Sequence, residues 1–485
     1  MRFVTGGADI VHASDTLGER TTSARRRATV SPCRTRDCPN CTKMGISGSN
    51  RPITRTHVIL WYHVSTRLNT SRERSSVSLP SASSNRIVLA VVASTFFVGF
   101  GGGVIFPILP NLGEVLGISA FMVGLILSAN RFTRLVANAP AGVLVDRIGT
   151  RKPFVVGLAI EGIATFMYVV AIVSPMPEVW FMVARILWGI GSALVFATAY
   201  TITADVSEAD SRGTSMGIVR AGITFGFPAG LVLGGVVSDL WTNTTAFVLA
   251  AAFAGLASVI AYLIVPETHV ESEQDSVKPW DVDTSMPTVT IGLVNFGLYF
   301  AYIGVLFSTL VLLLDARAIS IFGLDAQGSS GMLMAITVLS GAVFTLGGGY
   351  LSDTVGARVP VMIAFLTTSC VGFAVLAFGS SFEVMVFACL LIGAGQGGVG
   401  GPLTALLADL TPDERVGRAM GTNNVLGDVG GGLGPLISLP LVESIGFQII
   451  YGVSAIVPML AGAVLVVGIY AHTGRVSPTI SESTG

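Results

Sequence analysis

The stretch GVLVDRIGTRKP, Gly142 to Pro153, joins the end of one long apolar run to the start of the next. Its residue types describe a helix end, a tight turn and a new helix start. Gly142 lets its helix approach a neighbour, and Asp146 and Arg147 place a carboxylate and a guanidinium at the helix end, where charge can pair or meet a helix terminus. Gly149 supplies the turn, and Arg151 and Lys152 anchor the following helix. The pattern returns 207 positions later as GYLSDTVGARVP, Gly349 to Pro360, which keeps the Gly, Leu, Asp, Gly, Arg and Pro positions, including Asp353 and Arg358. A second series, Gly189, Gly191, Asp205, Gly213, Met216, Gly217 and Gly230, recurs 204 positions later as Gly393, Gly395, Asp409, Gly417, Met420, Gly421 and Gly434. Two matches in the same order at nearly equal offsets indicate an internal duplication.

Around these elements the chain is a succession of apolar runs, each long enough to cross roughly 30 Å of hydrocarbon. They read as 86–110, 120–145, 153–173, 179–203, 213–238 and 243–265, then 288–314, 327–351, 359–379, 382–407, 419–441 and 446–470. The expected fold is an all-α membrane protein of twelve transmembrane helices in two six-helix pseudo-repeats, 86–265 and 288–470. A polar, acidic linker, 266–287, joins them, and 471–485 forms a tail. Composition agrees. Charged residues make up 12% of the chain and hydrophobic ones 51%, against about 25% charged in soluble domains. The 58 glycines suit helices that pack closely in lipid.

Lys and Arg set the orientation, since they concentrate in cytoplasmic loops. With the N-terminus inside, Arg147, Arg151, Lys152, Arg212, Lys278, Arg358, Arg415, Arg418 and Arg475 all fall inside, and Arg317 alone lies in an outer loop. Residues 1–85 read as a basic, disordered segment rich in Ser, Thr and Arg, without the apolar stretch of a secretory signal. Met44 is a candidate alternative initiator. Cys38 and Cys41 form a CxxC near Cys33, His57 and His63, for which zinc is conceivable, but the expectation is no metal site and no cofactor. Cys370 and Cys389 lie in apolar runs and read as small hydrophobes. The apolar region holds no nucleophile–base set and no GxxxxGKS phosphate loop, which argues against a membrane enzyme and a self-contained ATP-driven pump.

The loop Gly142–Pro153 closely resembles the loop 2–3 signature of the major facilitator superfamily, G-x-L-x-D-R-x-G-x-R-K. The Gly349–Pro360 copy fits, because that family carries the element in both halves. The resemblance spans residues 86–470 and implies a secondary transporter with its solute path between the halves. It also implies a cytoplasmic gate made from Gly142, Asp146, Arg147, Gly149, Arg151, Lys152, Asp205, Arg212, Asp353, Arg358, Asp409 and Arg415. Asp205 and Arg212 resemble the acidic-x6-Arg element at the inner end of helix 4, with Asp in place of the usual Glu. Arg185, followed by Gly189 and Gly191, resembles the helix 4 element of proton-coupled antiporters, with Trp188 where Gln is common. GFPAGLVLGG, Gly226 to Gly235, has the glycine spacing of the drug/proton antiporter helix 5 but Leu231 at the expected Pro. The cleaner GGGLGP lies at Gly430–Pro435 in helix 11.

Six charges fall inside apolar runs and away from their ends: Arg131, Arg134, Glu161, Arg185, Arg220 and Asp428. Each costs at least a few kcal/mol without a partner or purpose. At about 1.5 Å per residue, Arg134, Glu161, Arg220 and Asp428 fall near mid-membrane, with Arg131 and Arg185 further out. Arg131 and Arg134 share a helix face and either line a polar cavity or pair with Glu161. Asp428, after Asn423 and Asn424, suits a helix lining water, with Arg220 a conceivable partner. Glu161 and Asp428 are the candidate proton carriers, because burial disfavours a charged carboxyl and a nearby Arg opposes that effect.

The functional expectation is proton-coupled export of an amphipathic small molecule by a monomer in the cell membrane, both termini cytoplasmic, with the lipid bilayer as surroundings and no nucleic acid partner. The alternatives are a transporter of a polar metabolite (sugar, organic acid or siderophore) and a non-transporting sensor on the same scaffold. Topology is checked with reporters fused along the chain. One active only outside is expected to signal from Leu116, Thr242 and Ser444, and one active only inside from Asp275. Signal from the outside reporter at Asp275 overturns the arrangement.

Overall fold

The computed structural model describes residues 82–207, 211–268 and 282–477. The N-terminal segment expected to be disordered, the CxxC reading, Asp275 with most of the linker, and the end of the tail lie outside the described residues. Twelve helices among the described residues are long and apolar enough to cross a membrane. In the first half they are α1 (Ala82–Val115), α2 (Ala120–Ile148), α3 (Arg151–Val173), α4 (Pro177–Val206), α5 (Arg212–Leu240) and α6 (Asn243–Ile264). In the second half they are α7 (Met286–Ala316), α8 (Ala326–Val355), α9 (Arg358–Phe378), α10 (Phe382–Asp409), α11 (Val416–Ile445) and α12 (Phe447–Thr473). Every expected span is present. The largest boundary shift is at the end of α1, expected at 110 and found at Val115.

Local chemistry explains the ends. The Ser119 hydroxyl accepts from the Met122 N–H at the start of α2, and Thr242 does the same for Thr245 at the start of α6, satisfying helix N–H groups that lack an internal partner. The duplicated loops end α2 and α8 on Gly149 and Gly356, with φ of +86° and +71°, a region that glycine enters without the clash a Cβ brings. A seven-residue π-helical segment, Phe300–Leu306, interrupts α7. There Gly304 lies against Gly434 of α11, and a Cβ on Gly304 would sit 2.6 Å from the Gly434 Cα.

The apolar core has a distribution that matters for function. At the end of the bundle away from the Gly142–Pro153 loop, one cluster draws on both halves, from Ile108, Leu109 and Phe247 to Leu310, Phe373 and Tyr451. At the basic end, where the duplicated loops lie, the core is split. Phe154, Leu158, Ala199 and Ala261 pack within the first half, and Met362, Leu366, Leu407 and Leu465 within the second. The helices that face each other across the halves follow the same division. Towards the far end, a Cβ on Gly124 of α2 would sit 2.9 Å from the Leu436 Cα of α11, and one on Gly235 of α5 would sit 3.3 Å from the Gly328 Cα of α8. Towards the basic end, Cβ atoms at Gly142, Gly217, Gly349 and Gly421 of the same four helices would meet nothing within 4 Å. The halves therefore close on each other at the far end and stand apart at the basic end.

A polar contact helps to fasten the closed end. The Asp239 carboxylate, at the end of α5, accepts the Asp325 N–H at the start of α8 across 2.8 Å, where a carboxylate also meets the positive end of the helix dipole. Replacing it, as Asp239→Ala, is expected to lower the ratio of closed to open at the far end about fivefold, in line with about 1 kcal/mol for one such contact. Distance measurements by electron spin resonance between labels on the two halves would read this. An unchanged distribution removes the contact as a latch.

Candidate functional site

Between the halves, α2 and α11 carry the charges that the sequence singles out. Arg131 Nη1 donates to Asp428 Oδ1 at 2.9 Å, and Arg134 Nη2 donates to the same oxygen. Three residues apart, the two arginines project from one face of α2. The Arg131 side chain reaches Asp428 by lying against Gly431, whose Cβ, if it had one, would sit 3.2 Å from the guanidinium carbon. Sequence reasoning placed these two arginines at a polar cavity or beside Glu161. The structure gives the cavity. It also gives Asp428 a cross-half pair, with Arg131 and Arg134 rather than Arg220, whose side chain is exposed.

The cavity has a volume of about 360 Å³; Asn138, Asn295, Tyr299 and Asn424 complete its polar wall, and Phe196 also lines it. A smaller lobe of about 180 Å³ shares Arg131, Arg134 and Phe196 and continues along Phe106, Phe227, Trp188 and Ile223. The combined space has a charged, amide-lined side and an aromatic side. Asn424 lines it, whereas Asn423 is buried, with its carbonyl accepting from Asn295 Nδ2 at 2.9 Å. Sequence reasoning missed Asn138, Asn295, Tyr299 and the phenylalanines. An Asn or Phe in an apolar run carries no signal of which way it turns. The one usable hint was the polar breaks Asn138 and Asn295 in otherwise apolar spans.

Arg185 is 1% exposed and is held by neutral groups. It donates to the carbonyls of Ile126 and Leu127 at 3.3 and 3.2 Å and to Asn130 Oδ1 at 2.5 Å, with Tyr168 Oη at 3.5 Å. Its guanidinium lies 5.5 Å from the Trp188 ring, a cation–π arrangement that gives the aromatic at position 188 a role. Arg185 thus braces α4 against the α2 segment that carries Arg131. Glu161 sits elsewhere, 1% exposed on α3 behind Gly191 of α4. Its Oε1 has no hydrogen-bond partner, and no cation lies within ion-pairing distance among the described residues.

At the basic end the two copies of the loop differ. In the second half, Arg358 Nε binds Asp409 Oδ2 at 2.5 Å and Nη1 binds Asp353 Oδ1 at 3.1 Å. In the first half, Asp146, Arg147, Lys152, Asp205 and Arg212 are exposed and form no ion pair among the described residues. Arg151 instead donates to the Tyr262 carbonyl at 2.6 Å and lies over the Tyr262 ring. Glu267, expected in a free linker, accepts from the Thr150 N–H at 2.7 Å and caps α3. At the linker's other end, the Asp283 N–H donates to Thr422 Oγ1 at 3.0 Å. Arg415 lies exposed in the single turn Asp413–Arg415 before α11.

Comparison with known proteins follows the same lines. The family model described as Major Facilitator Superfamily matches residues 91–346 and 294–484. An uncharacterized MFS-type transporter of Methanocaldococcus jannaschii is 25% identical over 383 residues, covering 78% of this chain and 96% of the relative. Multidrug resistance protein 2 of Bacillus subtilis is 22% identical over 396 residues, covering 80% of this chain and 95% of the relative. Among solved structures, a bacterial homolog of the human lysosomal transporter Spinster has the same fold, with a TM-score of 0.67 at 15% identity over 79% of this chain and 96% of that one.

The bracing role of Arg185 is open to test. Arg185→Ala removes four polar contacts, leaving Asn130 Oδ1 without this donor and two helix carbonyls with their intrahelical bonds alone. It is expected to cost about 2–4 kcal/mol, seen as a fall of several degrees in the melting temperature of the purified protein. Arg185→Lys, which keeps the charge but not the fork of donors, should recover only part of it. A variant as stable as the wild type removes the bracing role.

Proposed function

The chain belongs to the major facilitator superfamily, and on that premise we propose that this membrane transporter exports an amphipathic small molecule by alternating access, coupled to protons. The observation that carries the reading is the cavity between the halves, with a charged, amide-lined side against an aromatic side, closed at one end and open at the other. A cavity of that make-up suits a solute with a polar head and an apolar body. The multidrug resistance relative points the same way. With the basic end in the cytoplasm of a cell-membrane protein, both termini lie inside and the cavity opens inward, the arrangement in which an exported solute is loaded.

The duplicated loops are proposed as the inner gate. They stand apart here, and Asp146, Arg147 and Arg212 are exposed and positioned to engage when the basic end closes. Glu161 is proposed as the proton carrier. It is a buried carboxyl with no cation beside it among the described residues, so it can take up and release a proton without breaking an ion pair. Asp428, paired with two arginines, is proposed to act at the solute. A second reading, transport of a polar metabolite, draws on that charged triad, and a sensor on the same scaffold is the remaining alternative.

Proteoliposomes loaded with candidate amphiphiles, with and without a pH gradient, test the proposal. Glu161→Gln is expected to abolish gradient-driven accumulation, by tenfold or more, while solute exchange at equal pH continues at close to the wild-type rate. Full proton-driven accumulation by this variant removes Glu161 as the coupling residue. Absence of any flux by the wild type favours the sensor.

A further inference from the structure

We infer that the transported solute is an amphipathic organic anion, and that its acidic group is gripped by Arg131 and Arg134 in competition with Asp428. This rests on the proposal above that the cavity carries an amphipathic solute, and adds the sign of its charge.

Charge balance is the first ground. The two joined lobes of the cavity are lined by two guanidiniums and one carboxylate, and every other lining residue is neutral. Directly behind them, Arg185 adds a buried positive charge whose partners are carbonyls, an amide and a hydroxyl. On α5, the exposed Arg220 stands three residues before Ile223 and seven before Phe227, both of which line the cavity, so it shares their helix face. A low-dielectric cleft lined by an excess of one sign concentrates ligands of the other. A cationic head would enter against that excess.

Unused bonding capacity is the second. A guanidinium has five N–H donors. Here Arg131 and Arg134 each spend one on Asp428, and both meet the same oxygen, Oδ1. Each therefore keeps donors for a second anion, and a carboxylate, sulfonate or phosphate is the group that such a fork matches. The aromatic wall of Phe106, Phe196, Phe227 and Trp188 then faces the apolar body.

The experiment compares two probes with one body, 4-(1-naphthyl)butyrate and 4-(1-naphthyl)butylamine, binding to the purified full-length protein by calorimetry. The carboxylate is expected to bind the wild type at least tenfold tighter than the amine. Asp428→Asn removes the competing carboxylate and should tighten butyrate binding roughly tenfold, while Arg134→Gln should weaken it by a similar factor. Added butyrate should also restore the melting temperature that Asp428→Asn loses by leaving two arginines unpaired. For a cationic solute every sign reverses: Asp428→Asn abolishes amine binding and Arg134→Gln strengthens it, and that result overturns the inference. Should Asp428→Asn not fold, Arg134→Gln, which keeps the Arg131–Asp428 pair, decides alone through the opposite changes it makes for the two probes. Preference for the amine sinks the anion and leaves the amphipathic reading standing. Failure of both probes on a folded wild type sinks the amphipathic reading and the anion with it.

Discussion

Hydrocarbon offers the peptide backbone no hydrogen-bond partner, and this constraint runs through the whole molecule. It makes every span a helix, and it makes a buried charge costly unless another part of the protein receives it. Arg185 is received by carbonyls and an amide, and Arg131 and Arg134 by Asp428. Because lipid gives apolar side chains little reason to prefer one another over acyl chains, helices are held by close packing instead. Glycines therefore sit where backbones meet, as at Gly304 and Gly434 and where Gly99 of α1 faces Ile223 of α5, a Cβ there lying 2.8 Å from the carbonyl oxygen.

The same packing rule accounts for how the halves are joined. Within each half the helices share an apolar core at the basic end, whereas between halves the shared core exists only at the far end. Contact between halves through α2 with α11 and α5 with α8 is backbone-close at one end and absent at the other. Under the proposed alternating access, two bundles joined in this way would rock about the middle, where the Arg131–Asp428–Arg134 triad sits on α2 and α11. A charge cluster bridging the two halves beside a cavity is exposed to whatever binds there. The bracing of α2 by Arg185 keeps the arginines in place on one side, and the π-helical break in α7 follows directly after Tyr299 on the other.

Much of this was legible in the chain. The twelve spans, the duplication and the loop signature followed from apolar run length, spacing and glycine placement, because these depend on local chemistry and on the thickness of a bilayer. Arg131, Arg134 and Asp428 were legible as charges needing an explanation. Which explanation applied was not, since Arg131 and Asp428 lie 297 positions apart and Arg220 and Glu161 were equally plausible partners by depth. Asn295, Tyr299 and Phe196 gave little sign, as residues of those types occur on every face of a membrane helix. Glu267 looked like one acid among several in a linker, and its place at the start of α3 depends on the path of the chain after α6.

By itself the sequence determined that the protein crosses a membrane twelve times, that its halves are copies, and which few residues carry charge into the apolar region. Those are properties of segments, set by hydrophobicity over a fixed length and by residues next to one another. Only the tertiary structure decided which charges meet, that Glu161 stands without a cation among the described residues, that one end of the bundle is closed and the other open, and that the cavity has a charged side and an aromatic side. Those are properties of helix rotation and of contacts between halves, and a rotation of α2 or α11 by a third of a turn would change every one of them while leaving the hydrophobic pattern as it is.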